Sequence, residues 1–398
     1  MREGTLAGVP FWTAEFVSAD FHCPLPTLLH PYCPFSSSSG TTPSSHGGLG
    51  GRMFHRFRRW LTPDVALDLG TTSTRIAIPG RGIVLEEPSV IALESSSRRI
   101  LGKGTCVGTL ARQMLGRTPD SIRAVQPIRE GVITDFELCE AMVSYLLRKA
   151  MRGATGRPRV VVTVPSGLSA VESRAVFTSV ERAGAEQVFL LPVTKAACIG
   201  AGLPIAEPLA SMVCDLGGGA SQVSVMSLGD EVAGQNLNVA GDHLDRAIIE
   251  FLRRKHSLRI SPQTAEQIKI EIGSSLPLDR ELSIEIRGLD SISGVARKLV
   301  VDSEEIRLAL ADSLQQIAMG IRSTIERCQP QLVADLADTG MVLTGGTAQL
   351  RGLEAYLREQ IGIPVRRDHD PERTSIRGAL ICLEHFDLWR ESLVTDGR

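Results

Sequence analysis

Aromatic side chains make up only 4% of the chain and are not interleaved with basic clusters, so the stacking platform that single-stranded nucleic acid requires is missing. A formal net charge of -2 supplies no electrostatic pull in its place, and nucleic acid is not expected as a partner. The cysteines stand singly, at Cys23, Cys33, Cys106, Cys139, Cys198, Cys214, Cys328 and Cys382, with no CxxC pair and no histidines at metal-ligand spacing. They read as reduced, mostly buried thiols of a cytosolic protein. No stretch approaches the ~18 to 20 consecutive apolar residues of a membrane span, and the first residues lack the basic start and apolar core of a signal peptide. The expected location is therefore cytoplasmic. With 398 residues, 43% of them hydrophobic, the chain is long enough for two domains with separate cores.

Residues 1–52 differ in composition from the rest of the chain. Pro, Ser, Gly and Thr accumulate there, and the run from Ser36 to Gly51 is almost entirely small and polar, which predicts a disordered extension or a start codon placed too early, with Met53 the true start. Residues 53–62 change character: Phe54, Phe57 and Leu61 recur at helical spacing while Arg56, Arg58 and Arg59 fall on the other face. Such a short basic amphipathic helix either lies in a lipid headgroup layer, burying its aromatics, or docks on the protein's own core.

From Asp64 onward strand and helix signals alternate as in a layered α/β protein. Val65 to Asp68, Thr74 to Ile78, Ser89 to Leu93 and Arg159 to Val164 read as strands. The string Leu67-Asp68-Leu69-Gly70-Thr71-Thr72-Ser73-Thr74-Arg75 returns in kind as Cys214-Asp215-Leu216-Gly217-Gly218-Gly219-Ala220-Ser221-Gln222. Both copies read strand, Asp-Leu-Gly, tight turn of small residues, strand, and a repeat so widely spaced points to two related domains rather than a solenoid. Small-residue turns let backbone amides and hydroxyls approach a phosphate, and paired carboxylates at Asp68 and Asp215 suit Mg²⁺ held through its waters. A lone glycine turn of this kind is usually only a hairpin; the duplicated aspartate is what weighs against that. A third turn, Gly345-Gly346-Thr347-Ala348, follows a short strand at Met341 to Leu343 and precedes a predicted helix from Gln349 to Gln360, leaving free amides for a nucleotide's phosphate or ribose side.

The two Asp-Leu-Gly hairpins and the third Gly-Gly-Thr turn, in this order, resemble the actin, Hsp70 and sugar-kinase superfamily. Longer strings are similar to the MreB family within it: Gly82 to Val90, Gly131 to Glu137, Ile199 to Pro204 and Gly340 to Gly346. The likeness runs from Met53 to about Phe386. It implies an actin-like ATPase fold of the α/β class, a duplicated ribonuclease-H-like core around a nucleotide cleft, with a first domain at 63–203, a second at 204–365, and 366–398 returning to the first.

The resemblance also implies the roles. Gly70, Thr71, Thr72 and Ser73 would form the first phosphate loop and Gly217, Gly218, Gly219 and Ala220 the second, with ATP and Mg²⁺ as cofactors and Asp68 and Asp215 at the metal. Glu266 and Lys269 would lie on a helix touching the adenosine, for which Thr264 and Gln267 form a plausible capping box, while Gly345, Gly346, Thr347 and Ala348 would close the far side. Phe54, Phe57, Trp60 and Leu61 would bind membrane. Glu172 stands where the family carries a water-orienting glutamate, yet Ser169-Ala170-Val171-Glu172 is also a capping box. Several positions depart from the pattern: Lys195 in a Glu-Glu-Pro-Met-like turn, Ala220 for threonine, Thr72-Ser73 for Ala-Asn, and Ala240 for glycine. The function implied is a weak Mg-ATPase that assembles into membrane-associated filaments organising cell shape and wall synthesis, with MreC, MreD and RodZ as partners. The alternatives are an ATP-binding adaptor that no longer polymerises, or a small-molecule kinase, which would need an additional acidic base for which no motif is seen.

Overall fold

The computed structural model describes residues 62–154 and 156–395; Phe54, Phe57, Trp60 and Leu61 lie outside the described residues. Two five-stranded sheets carry the fold. In the first, β1 (Val65–Leu69), β2 (Ser73–Ile78), β3 (Gly82–Pro88), β4 (Arg159–Val164) and β5 (Gln187–Pro192) are ordered β3-β2-β1-β4-β5. In the second, β6 (Ser211–Leu216), β7 (Ser221–Ser227), β8 (Asp230–Leu237), β12 (Met341–Thr344) and β13 (Val365–Arg367) are ordered β8-β7-β6-β12-β13. The numbers between belong to a smaller sheet of β9 (Leu258–Arg259), β10 (Ser283–Asp290) and β11 (Ala296–Asp302). Both large sheets begin with an antiparallel three-strand meander and finish with two parallel strands. The echo in the sequence is thus an echo of topology.

Near-continuous apolar runs explain the centres of these sheets. All five residues of β1 are buried, as a strand covered on both faces must be. Alternation along the strand then sorts the side chains. Val65, Leu67 and Leu69 join a core with helices α1 (Phe136–Ala150) and α2 (Ala170–Arg182), whereas the small Ala66 turns to the opposite face. On that face it meets α3 (Val193–Gly200) and α9 (Thr374–Glu384), in a layer that also takes Val213 and Met226 from the second sheet. The second sheet packs its other face on α4 (Gly241–His256), α5 (Pro262–Ile272), α6 (Ser303–Glu326) and α8 (Leu353–Ile361), while α7 (Pro330–Thr339) adds Leu336 to the same core.

Where α3 crosses α9 the two backbones touch. A Cβ on Gly378 would lie 1.8 Å from the Ala196 carbonyl oxygen, and one on Gly200 would lie 2.0 Å from that of Thr374. Lys195 sits beside this crossing, 5% exposed, and makes no hydrogen bond or ion pair among the described residues. Burial lowers the pKa of its amine, with Asp230 opposing. All six cysteines among the described residues are free thiols.

Three local expectations are corrected. The strand read from Ser89 begins at Ile91, because the Ser89 hydroxyl is engaged 2.6 Å from the Gly70 carbonyl and 2.8 Å from Thr74 Oγ1. The helix read from Gln349 to Gln360 is a 3₁₀ turn, Gly346–Gln349, followed by α8 from Leu353; Leu350, at ψ 130°, leaves helical backbone and Gly352 adopts φ +75°, which breaks the continuous helix. The cap of α5 is Ser261, whose hydroxyl accepts from Thr264 N at 3.1 Å ahead of Pro262, rather than Thr264 itself.

Candidate functional site

The two echoed turns sit at the ends of β1 and β6 and face each other. Each is closed in the same way, Gly70 N donating to Ser73 O and Gly217 N to Ala220 O. Parallel pairing sets Thr163 beside Asp68 and Thr344 beside Asp215. Their hydroxyls donate to the carboxylates, at 2.5 Å from Thr163 Oγ1 to Asp68 Oδ1 and 2.9 Å from Thr344 Oγ1 to Asp215 Oδ1. The turns approach so closely that a Cβ on Gly218 would lie 1.9 Å from Thr72 Oγ1 and one on Gly219 2.4 Å from Thr71 Cγ2. Glycine is therefore required in the second turn because the threonines of the first occupy the space opposite.

The third turn locks onto the second. Thr347 Oγ1 donates to Gly217 O at 2.9 Å, Gly241 N donates to the same oxygen, and Gly345 N reaches Pro371 O. Between the turns opens a cleft of about 690 Å³. It is lined by Asp68, Gly70 through Ser73, Asp215, Gly217 through Ala220, Glu266, Lys269, Gly345, Gly346 and Thr347. Ala348, 2% exposed, packs behind the turn in the core that the second sheet shares with its helices.

Charge in the cleft is predominantly acidic. Burial, with the Asp68 carboxylate adding to it, pushes the Asp215 carboxyl up to about 6 despite the Thr344 hydrogen bond. Asp245 is likewise pushed up to about 6 by burial, although Lys269 Nζ lies 2.8 Å from it and also donates to Gly241 O. Glu266 is paired with Arg112 at 2.7 Å. Thr72 Oγ1, in the cleft lining, is buried and unpartnered among the described residues. An orphaned hydroxyl on a turn of small residues suits an oxyanion, and two like-charged carboxylates suit a divalent cation. No group of three or more His, Cys, Asp or Glu that could hold a metal ion is found among the described residues.

Glu172 is not among the cleft-lining residues. Its carboxylate accepts from Ser169 N at 2.8 Å and from Ser169 Oγ at 2.7 Å, while Glu172 N donates to Ser169 Oγ, a reciprocal capping box that opens α2. Those hydrogen bonds hold its carboxyl below the ordinary glutamate range. Sequence reasoning missed Arg75, Glu86, Asp242, Asp245 and Glu372, which also line the cleft. For Arg75 a signal existed, since it stands in the first copy of the echo where Gln222 stands in the second.

The sequence model of the MreB/Mbl protein family matches residues 62–391. The chain is 42% identical over 338 residues to the cell shape-determining protein MreB of Escherichia coli strain K12, covering 84% of this chain and 97% of that protein. It is 38% identical over 325 residues to the cell shape-determining protein Mbl of Bacillus subtilis strain 168, covering 81% and 96%. Among solved structures, MreB5 of Spiroplasma citri bound to ADP superposes with a TM-score of 0.79 at 29% identity, covering 83% of this chain and 98% of that one. A MamK double helical filament, at 19% identity, TM-score 0.67 and 81% and 99% coverage, shares the fold.

Proposed function

The chain belongs to the MreB/Mbl family, and from that premise we propose that it is an actin-like filament protein of cell-shape determination that binds and slowly hydrolyses ATP in the cleft between its lobes. The observation that carries this reading is the pair of duplicated turns facing each other, each with an aspartate held by a threonine on the next strand. Spiroplasma citri MreB5, solved with AMPPNP and with ADP, supports a nucleotide as the ligand. The lobes are taken as 63–203 together with 366–398, and 204–365.

Gly70 through Ser73 and Gly217 through Ala220 hold the phosphates through amides and hydroxyls. Glu266, Lys269 and the turn at Gly345, Gly346, Thr347 and Ala348 border the nucleoside. Mg²⁺, when bound, neutralises charge developing on the phosphates, and Asp68 and Asp215 are the residues that would hold it through water. Losing a hydroxyl at Ala220 removes one hydrogen bond to a charged group, roughly 1.5 to 3 kcal/mol, and the orphaned Thr72 hydroxyl opposite offsets it.

Glu172 is assigned to water positioning, in competition with its cap. Glu172→Ala is expected to retain ATP binding and slow phosphate release at least ~10-fold, equivalent to ~1.4 kcal/mol of barrier. An unchanged rate, with stability lowered by about 1 kcal/mol, would leave it a helix cap only.

Phe54, Phe57, Trp60 and Leu61 are assigned to the inner face of the membrane, where filaments would meet wall-synthesis partners of the MreC, MreD and RodZ kind. No helix among the described residues is long and apolar enough to cross a membrane. The test is co-sedimentation with anionic vesicles, with and without Mg-ATP, of the chain from Met53 and of one lacking residues 53–61. Nucleotide-dependent binding that needs 53–61 supports the reading; binding that persists without them moves the anchor elsewhere.

A further inference from the structure

The two hairpins match in backbone and differ in charge. Register sets Arg75 opposite Asp68 and Gln222 opposite Asp215. Gln222 is spent on neutral contacts, accepting from Ser166 N at 3.0 Å and donating to Asn236 Oδ1 at 2.5 Å. Arg75 instead brings a guanidinium into the cleft wall, 9% exposed.

Its bonding is lopsided. Nε donates to Glu86 Oε1 at 2.8 Å, whereas the two terminal nitrogens make only long contacts, Nη1 at 3.5 Å from Asp68 Oδ2 and Nη2 at 3.3 Å from Glu372 Oε2. A guanidinium placed solely to neutralise buried carboxylates is expected to close a short bidentate pair, and this one leaves terminal donors weakly engaged. Each of the three carboxylates also has a second partner. Glu86 is also held by Arg373 at 2.9 Å, Glu372 by Gln349 at 2.6 Å, and Asp68 by Thr163. Of the other cleft cations, Arg112 and Lys269 are each closed in a short ion pair, and Arg351 is spent on backbone, its Nη1 donating to the Ile270 carbonyl at 2.9 Å. Arg75 is thus a cleft cation whose terminal nitrogens are weakly held, and it stands on the strand that leaves the first turn, opposite Asp68.

We propose that Arg75 is a phosphate-binding residue, its terminal nitrogens exchanging Asp68 and Glu372 for oxygens of the bound nucleotide's polyphosphate. The inference rests on the nucleotide reading of the cleft and adds a side-chain cation to a site otherwise made of amides, hydroxyls and carboxylates. A polyphosphate entering an acidic cleft is repelled unless a cation meets it, and a buried guanidinium is already desolvated for that contact.

Calorimetric binding of adenosine, AMP, ADP and ATP, in Mg²⁺ and in EDTA, to wild type, Arg75→Gln and Arg75→Lys separates the cases. ATP and ADP are expected to bind Arg75→Gln about 10-fold or more weakly in EDTA, with a smaller loss in Mg²⁺, adenosine unaffected, and Arg75→Lys recovering part of the loss. Glu372→Gln, which removes a competitor for the same nitrogens, is expected to tighten ATP binding and serves if Arg75→Gln does not fold. Equal losses for adenosine and ATP, or no loss, would overturn the proposal; a wild-type protein that binds none of the four would instead overturn the nucleotide reading.

Discussion

Asp215→Asn is expected to slow Mg-ATP hydrolysis at least about 100-fold while leaving the fold intact, because the variant keeps an oxygen for Thr344 and loses the charge a divalent cation needs. The same carboxyl makes the site pH-dependent. Its folded pKa of about 6 lies above the ordinary value of 3.8, so the folded chain holds this proton more tightly than the unfolded chain does. Stability from this group is therefore present at low pH and lost as pH rises from about 4 through about 6. Denaturant unfolding in EDTA should show that decline in wild type and a smaller one in Asp215→Asn, where Asp245, also raised to about 6, still titrates. Nucleotide affinity in Mg²⁺ should move the opposite way, falling as pH drops below about 6 and the carboxylate is protonated. Turnover in the variant within about threefold of wild type would remove Asp215 from the chemistry.

Gly378→Ala should destabilise the protein by about 3 kcal/mol, although alanine is the better helix former by about 1 kcal/mol. The added carbon meets the Ala196 carbonyl oxygen at 1.8 Å, a backbone atom that can retreat only if α3 and α9 separate. That separation would disturb the layer shared by both sheets, where Ala66 and Val161 of the first meet Val213 of the second. Urea unfolding measures the loss, and nucleotide binding should weaken with it, since the layer holds Ala66 and Val213 of the two strands that lead into the phosphate turns. A variant as stable as wild type would show that the helices have room to part.

How much of the molecule is legible in its sequence depends on how local each feature is. The duplicated hairpins were legible because strand, aspartate and turn lie within about a dozen residues and recur, and β1 and β4 because buried parallel strands are written as apolar runs. The end of the Met341–Thr344 strand was legible, but the helix behind it was misplaced by a single glycine, Gly352, whose left-handed conformation no periodicity reveals. Arg75 and Glu86 face each other across neighbouring strands, but Glu372 arrives from 297 positions away, so no local window announces the whole network. Gly378 reads as an ordinary helical glycine until Ala196 is placed against it. For Glu172 the same four residues spell a cap and a catalytic position, and the cap is what the hydrogen bonds satisfy.

The most direct measurement is negative-stain electron microscopy of the chain from Met53, at a fixed concentration, with Mg-ATP, with Mg²⁺ alone, and with Mg-ATP added to Asp215→Asn. Filaments in the first sample and none in the second, with altered or absent filaments in the third, are the predicted result. Filaments indifferent to nucleotide and to Asp215, or a chain that binds ATP and stays monomeric throughout, would contradict the account of an actin-like polymer driven from this cleft.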